Sequence, residues 1–123
     1  MAKTILVVDD SSSLRALVKM ALTRAGYAVI EGADGKEGLA QLDRAAKVNL
    51  IVSDVNMPNM DGITFVQNIK QHPKHKFIPV IMLTTEDENA KMQQAKAAGA
   101  RAWLIKPFNP PELLDAISRL AAA

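Results

Sequence analysis

The chain contains no cysteine, which excludes a disulfide framework, a thiolate zinc site and a cysteine nucleophile together. It also leaves the redox compartment unreadable. Charge of one sign is nearly absent as an excess. Lys plus Arg number 15 against 13 Asp plus Glu, so a pI near 9.0 reflects an imbalance of two and gives no reason to expect a nucleic-acid partner. Long apolar runs are missing too. The one after Lys3, Ile5 to Val8, is ended by Asp9 and Asp10, far short of a signal-peptide core or a membrane span. A cytoplasmic protein with no membrane partner is expected. There is no repeat, linker or low-complexity segment beyond Ala121 to Ala123. What remains is 123 residues, 49% hydrophobic and 23% charged, which fits one compact domain over 1–123.

Short β-branched runs at Thr4 to Val8, Tyr27 to Ile30, Asn49 to Ser53, Pro79 to Leu83 and Ala102 to Ile105 alternate with stretches of helical period. The alternation predicts an α/β fold with a parallel sheet. Leu14, Leu17, Val18, Ala21 and Leu22 mark the inward stripe of the first helix, which Gly26 stops. Asp34 and Glu37 stand at capping-box spacing before Leu39 and Leu42, and Phe65, Val66 and Ile69 follow Gly62 in the third helix. The fourth helix, Glu88 to Ala98, offers only Ala90, Met92, Ala95, Ala97 and Ala98 as an inward face, so it buries little area and is loosely held. Asn109-Pro110-Pro111 opens the last helix, which buries Leu113, Ala116, Ile117 and Leu120.

In an open parallel sheet, ligands bind outside the carboxyl ends of the strands, where the strand order reverses. Asp9 and Asp10 end strand one, Asp54 ends strand three, Thr84 ends strand four and Lys106 follows strand five. Any one of these alone reads as a turn former or helix cap. Together they do not, because carboxylates about 4 Å apart repel by about 4 kcal/mol per pair at an effective dielectric of about 20. Such a cluster implies a cation. With oxygen ligands only, and no segment carrying aspartates at alternate positions, magnesium is favoured over calcium. Lys106 and Thr84 would then help compensate the oxygens of a phosphoryl group, and the constellation reads as phosphoryl transfer to a carboxylate.

The motifs Val8-Asp9-Asp10-Ser11, Ser53-Asp54-Val55-Asn56-Met57-Pro58-Asn59-Met60-Asp61-Gly62, Leu83-Thr84-Thr85-Glu86 and Ile105-Lys106-Pro107-Phe108 occur in this order. In them the chain resembles the receiver domain of bacterial two-component response regulators, of the single-domain, CheY-like chemotaxis type. The resemblance implies a flavodoxin-like (βα)5 fold: a five-stranded parallel sheet of order 2-1-3-4-5 with helices on both faces and no output domain. It implies that Asp54 accepts a phosphoryl group from a histidine kinase, with Mg2+ held by Asp10, Asp54 and the backbone carbonyl of Asn56, and with Asp9 acting through metal-bound water. It also implies a cis peptide at Lys106-Pro107.

The same resemblance couples Thr84 to Trp103 as a switch. Trp103 stands where the family usually carries tyrosine or phenylalanine, and its indole N–H needs a partner if buried. An ordinary half-buried aromatic of strand five is the plainer alternative. Asn56 and Glu86 fall where family side chains flank the hydrolytic water, which implies self-catalysed loss of the phosphoryl group. Thr85, bulkier than the alanine common there, bears on its lifetime, and Glu86 equally reads as a solvated helix cap. Kinase recognition is expected on helix one and the loop after strand five, near Ser13, Arg15 and Phe108.

The implied protein is therefore a phosphoacceptor switch rather than a turnover enzyme, with magnesium-dependent self-phosphorylation and autodephosphorylation. Its expected partners are a chemotaxis-type histidine kinase and a flagellar motor switch protein, and it is expected to be a monomer. Alternatives are a relay that passes the group to a histidine phosphotransfer protein, or a regulator of another process. An aspartate-nucleophile phosphatase would need D-x-D-x-T where the chain has Asp54-Val55-Asn56-Met57-Pro58. A flavin carrier would need a hydroxyl- or glycine-rich loop where Asp9 and Asp10 stand. His72 and His75, among Lys70, Lys74 and Lys76, read as a solvated helix end suited to the helix dipole. Met20, Met82 and Met92 read as fillers of core gaps.

Overall fold

The computed structural model describes residues 2–85 and 89–121, apart from the side chain of Asn89. The chain runs β1 (Thr4–Val8), α1 (Ser12–Arg24), β2 (Ala28–Gly32), α2 (Gly35–Arg44), β3 (Leu50–Asp54), α3 (Gly62–Gln71), β4 (Val80–Thr84), α4 (Asn89–Ala98), β5 (Ala102–Ile105) and α5 (Pro110–Ala121). The strands form one parallel sheet in the order β2-β1-β3-β4-β5.

Side chains alternate across a strand, so each strand feeds two cores. Ile5, Val7, Leu50, Val52, Ile81 and Leu83 meet Val18 and Leu22 of α1 and Leu113 and Ile117 of α5. On the other face Leu6, Val8, Ile51 and Met82 meet Leu42 of α2, Phe65, Val66 and Ile69 of α3, and Ala95 of α4. Right-handed crossovers produce this division: β1 to β2 steps one way along the sheet and the later connections step the other way. The order reverses at β1, and the carboxyl ends of β1 and β3 flank the resulting crevice.

Asp54 and Thr84 end their strands as expected: β3 and β4 each run one residue past the apolar stretches Asn49 to Ser53 and Pro79 to Leu83, and the last ladder residues are Asp54, opposite Leu83, and Thr84, opposite Ile105. The sheet fixes their backbones. Strand β2 starts one residue late because Tyr27 N still bonds to Leu22 O, finishing the α1 terminus, where Gly26 takes φ +96°.

Helix α1 buries less than its stripe suggests. Val18 and Leu22 reach the sheet, whereas Leu17 is 56% exposed and Met20, expected in the core, is 51% exposed beside α5. Among the described side chains of α4 Met92 and Ala95 are buried and Ala98 is half-buried; Ala90 and Ala97 face solvent, and Glu88 lies outside the described residues. Among the described residues no helix is long and apolar enough to cross a membrane.

Candidate phosphoryl-transfer site

Asp9, Asp10 and Asp54 bring carboxylate oxygens within 4.8 Å of one another at the crevice, with Asp9 and Asp54 buried and Asp10 exposed. Local chemistry holds each in place. Asp9 N donates to Gly32 O, and its Oδ1 accepts from Ser11 N at 2.8 Å, just where Ser11 caps α1 through Leu14 N. Asp54 is carried by β3. Behind it Gly62 N donates to Val55 O at 2.8 Å, and a Cβ at Gly62 would overlap the Asp54 carbonyl, so only glycine lets α3 start this close.

Lys106 reaches into the acidic cluster from β5. Its Nζ lies 3.2 Å from Asp54 Oδ1 and 3.4 Å from Asp9 Oδ2. Its backbone N donates to Thr84 O, and the Lys106-Pro107 peptide is cis. The Thr84 hydroxyl is wholly buried and has no hydrogen-bond partner among the described residues.

One ammonium does not neutralise this site. Burial, and after it the negative charge of Asp9, pushes the Asp54 carboxyl above its ordinary pKa, with Lys106 opposing. At Lys106 burial is the largest single influence and pulls the pKa down, but the charges of Asp54 and Asp9 together outweigh it and leave the ammonium firmer than usual. An all-oxygen donor set carrying excess negative charge suits a hard divalent cation that keeps part of its water shell. The residues present therefore fit Mg2+.

Several site contacts were invisible in the sequence. Arg15, expected among kinase-recognition residues, donates to Asp9 O and lies 3.3 Å from Glu31 Oε1. Lys91 of α4 donates to Asn56 Oδ1 across a cleft of about 500 Å3 also lined by Asp10, Met57 and Asp61. Asn59, at φ 66°, donates its amide to Asp34 Oδ2 at 2.7 Å, which ties the loop after β3 to the cap of α2. That bond, then the Glu37 N–H, holds the Asp34 carboxyl below its ordinary pKa. Trp103 is half-buried against the α2–α4 core, with Lys96 Nζ 5.6 Å from its ring centre. Glu86 lies outside the described residues.

Residues 5–118 match the family model of the response regulator receiver domain. The chain belongs to this family of phosphoacceptor switches. It is 39% identical over 112 residues to chemotaxis protein CheY1 of Helicobacter pylori, covering 90% of each chain. It is 38% identical to the chemotaxis protein CheY homolog of Campylobacter jejuni, covering 90% of this chain and 86% of that one. Among solved structures, chemotaxis protein CheY4 of Vibrio cholerae superposes with a TM-score of 0.91 at 46% identity, covering 98% of this chain and 99% of that one. The receiver domain of a sensor histidine kinase from Pseudomonas aeruginosa superposes with a TM-score of 0.90 at 25% identity over the whole of both chains, and that structure has a magnesium ion coordinated in its active-site cleft.

Proposed function

We propose that the chain is a chemotaxis response regulator whose Asp54 takes a phosphoryl group from a histidine kinase and whose altered surface then engages a flagellar motor component. The observation that carries the chemistry is Lys106 Nζ, 3.2 Å from Asp54 Oδ1 beside a buried Thr84 hydroxyl that has no partner among the described residues. Phosphoryl transfer demands little of a protein beyond positioning and charge compensation. Asp54 supplies the nucleophilic oxygen on a backbone locked by the sheet. Lys106 offsets charge on the transferring oxygens, and Thr84 has a hydrogen bond to give to one of them.

Asp10, Asp54 and the Asn56 carbonyl would hold Mg2+, with Asp9 acting through a bound water. When bound, the metal supplies further charge compensation at the phosphoryl oxygens. Once Thr84 turns to its new acceptor, the space it leaves lets Trp103 move inward, which remodels α4, β5 and α5. Asn56, whose Oδ1 accepts from Lys91, is the described residue to which the resemblance gives a part in hydrolysis of the phosphoryl group.

The chemotaxis reading is supported by single-domain relatives that match along most of their own length. Capture from cell extract with the chain as bait tests it, with and without Mg2+ and beryllofluoride and with Asp54→Asn as control. Retention of a motor component only in the activated wild type is expected. Retention of a histidine phosphotransfer protein without the motor would turn the reading to a relay.

A further inference from the structure

At the opposite edge of the sheet, where α2 and α3 end, Asp43, His72 and His75 bring one potential ligand atom each within 4.8 Å of one another. His72 caps α3 and His75 sits in the turn that follows it. The basic setting suggests a solvated helix end, yet His75 is only 5% exposed. Its Nε2 is buried with no hydrogen-bond partner among the described residues, and Asp43 Oδ1 is 3.5 Å away, too long for a good hydrogen bond. The His72 ring stacks on it at 4.2 Å. Burying an imidazole nitrogen with nothing to bond calls for an explanation.

We propose that Asp43, His72 and His75 form a site for a divalent transition metal of the zinc class. Two imidazoles and a carboxylate are a donor set that zinc accepts, with water at the fourth corner. The exposed Asp43 side chain leaves that corner open to solvent. Ligand bonds of about 2.0 Å place tetrahedral donors about 3.3 Å apart, so His75 and Asp43 at 3.5 Å are nearly in position. His72 has at most about 1.5 Å to close.

Binding requires one rearrangement. The Lys74 N–H donates to His72 Nδ1 at 3.0 Å. A metal on Nδ1 displaces that bond, and a metal on Nε2 needs the ring proton on Nδ1, so the bond is given up either way. Of the nearby cations, Lys70 Nζ is turned to the Lys76 and Ile78 carbonyls and Lys76 Nζ lies over the Phe77 ring, while Lys47 and Lys74 line the cavity beside His75 and oppose a bound cation. The two sites sort metals by donor: oxygens for magnesium at one edge, nitrogen and oxygen for zinc at the other.

The full chain is titrated with Zn2+ against a chromophoric chelator in excess Mg2+, which keeps the oxygen site filled, while imidazole NMR resonances are followed. One bound equivalent that moves the His72 and His75 resonances is expected. Loss of a second-sphere group alone typically weakens metal binding about 10–100-fold. His72→Gln and Asp43→Asn, both at accessible positions, should therefore each weaken zinc at least about tenfold, and Asp54→Asn should not. Zinc affinity unchanged in both variants, or histidine resonances that stay still, would overturn the proposal.

Discussion

Lys106 and Asp54, 52 positions apart in the sequence, meet at 3.2 Å across the carboxyl edge of the sheet, delivered by the ends of β5 and β3 on either side of β4. The contact leaves a lysine bound to two buried carboxylates and a carboxyl that burial and Asp9 hold above its ordinary pKa. The site is therefore short of positive charge until a cation arrives.

Replacing Lys106 with methionine keeps the stem and removes the charge. Loss of one preorganised charge-stabilising donor typically slows a reaction about 10²–10³-fold. Lys106→Met should slow phosphorylation by acetyl phosphate to that extent while Mg2+ affinity holds or rises, because the carboxylates lose their competing cation. Rapid-mixing kinetics and a magnesium titration measure the two effects separately.

The raised Asp54 pKa has a signed consequence for stability. Between its ordinary value of 3.8 and its folded value, the native state holds more proton than the unfolded one, so this group makes stability fall as pH rises. Above the folded value the penalty is complete. Asp54→Asn should therefore raise the urea midpoint of metal-free protein at neutral pH, and the gain should shrink as pH falls toward 3.8. Saturating Mg2+ should erase it. A variant less stable than wild type at neutral pH in chelator would contradict the assignment.

How much of this was legible in the sequence follows from how local each signal is. Asp9, Asp10, Asp54, Thr84 and Lys106 were found because strand periodicity alone fixes which edge they share. Asn109 before Pro110-Pro111, like Asp34 with Glu37, announced a helix start, and both caps form, although Glu37 Oε1 bonds Ala33 N rather than the cap residue's own N–H. Side-chain bonds between elements carry no such spacing. Arg15 with Glu31, Lys91 with Asn56 and Asn59 with Asp34 needed the packed structure. His75 misled because its lysine neighbours suggest solvent, whereas the turn after α3 folds its ring under the chain.

Gly62 couples the start of α3 to the phosphoacceptor strand. An added methyl there meets the Asp54 carbonyl and Val55 Cα, both backbone and unable to yield cheaply. Gly62→Ala should cost about 1–3 kcal/mol, the usual range for overpacking, and displace Asp54 enough to weaken Mg2+ as well. Urea denaturation and magnesium titration of the same preparation check both effects.

Trp103 is the chain's one tryptophan, so its fluorescence reports a single position. Inward movement on activation takes the indole away from water and from Lys96. Adding beryllofluoride with Mg2+ should shift the emission to shorter wavelength in wild type and leave it unchanged in Asp54→Asn. Thr84→Ala, which removes the hydroxyl but not the phosphoacceptor, should abolish the shift and spare phosphorylation in direction if not in rate.

The most direct test of the central claim is intact-mass and peptide mass spectrometry after incubation with acetyl phosphate, with and without Mg2+. The account predicts one added phosphoryl group, dependent on Mg2+, located on the peptide containing Asp54 and lost in Asp54→Asn. A modification that persists in Asp54→Asn, or that forms equally well in chelator, would contradict it.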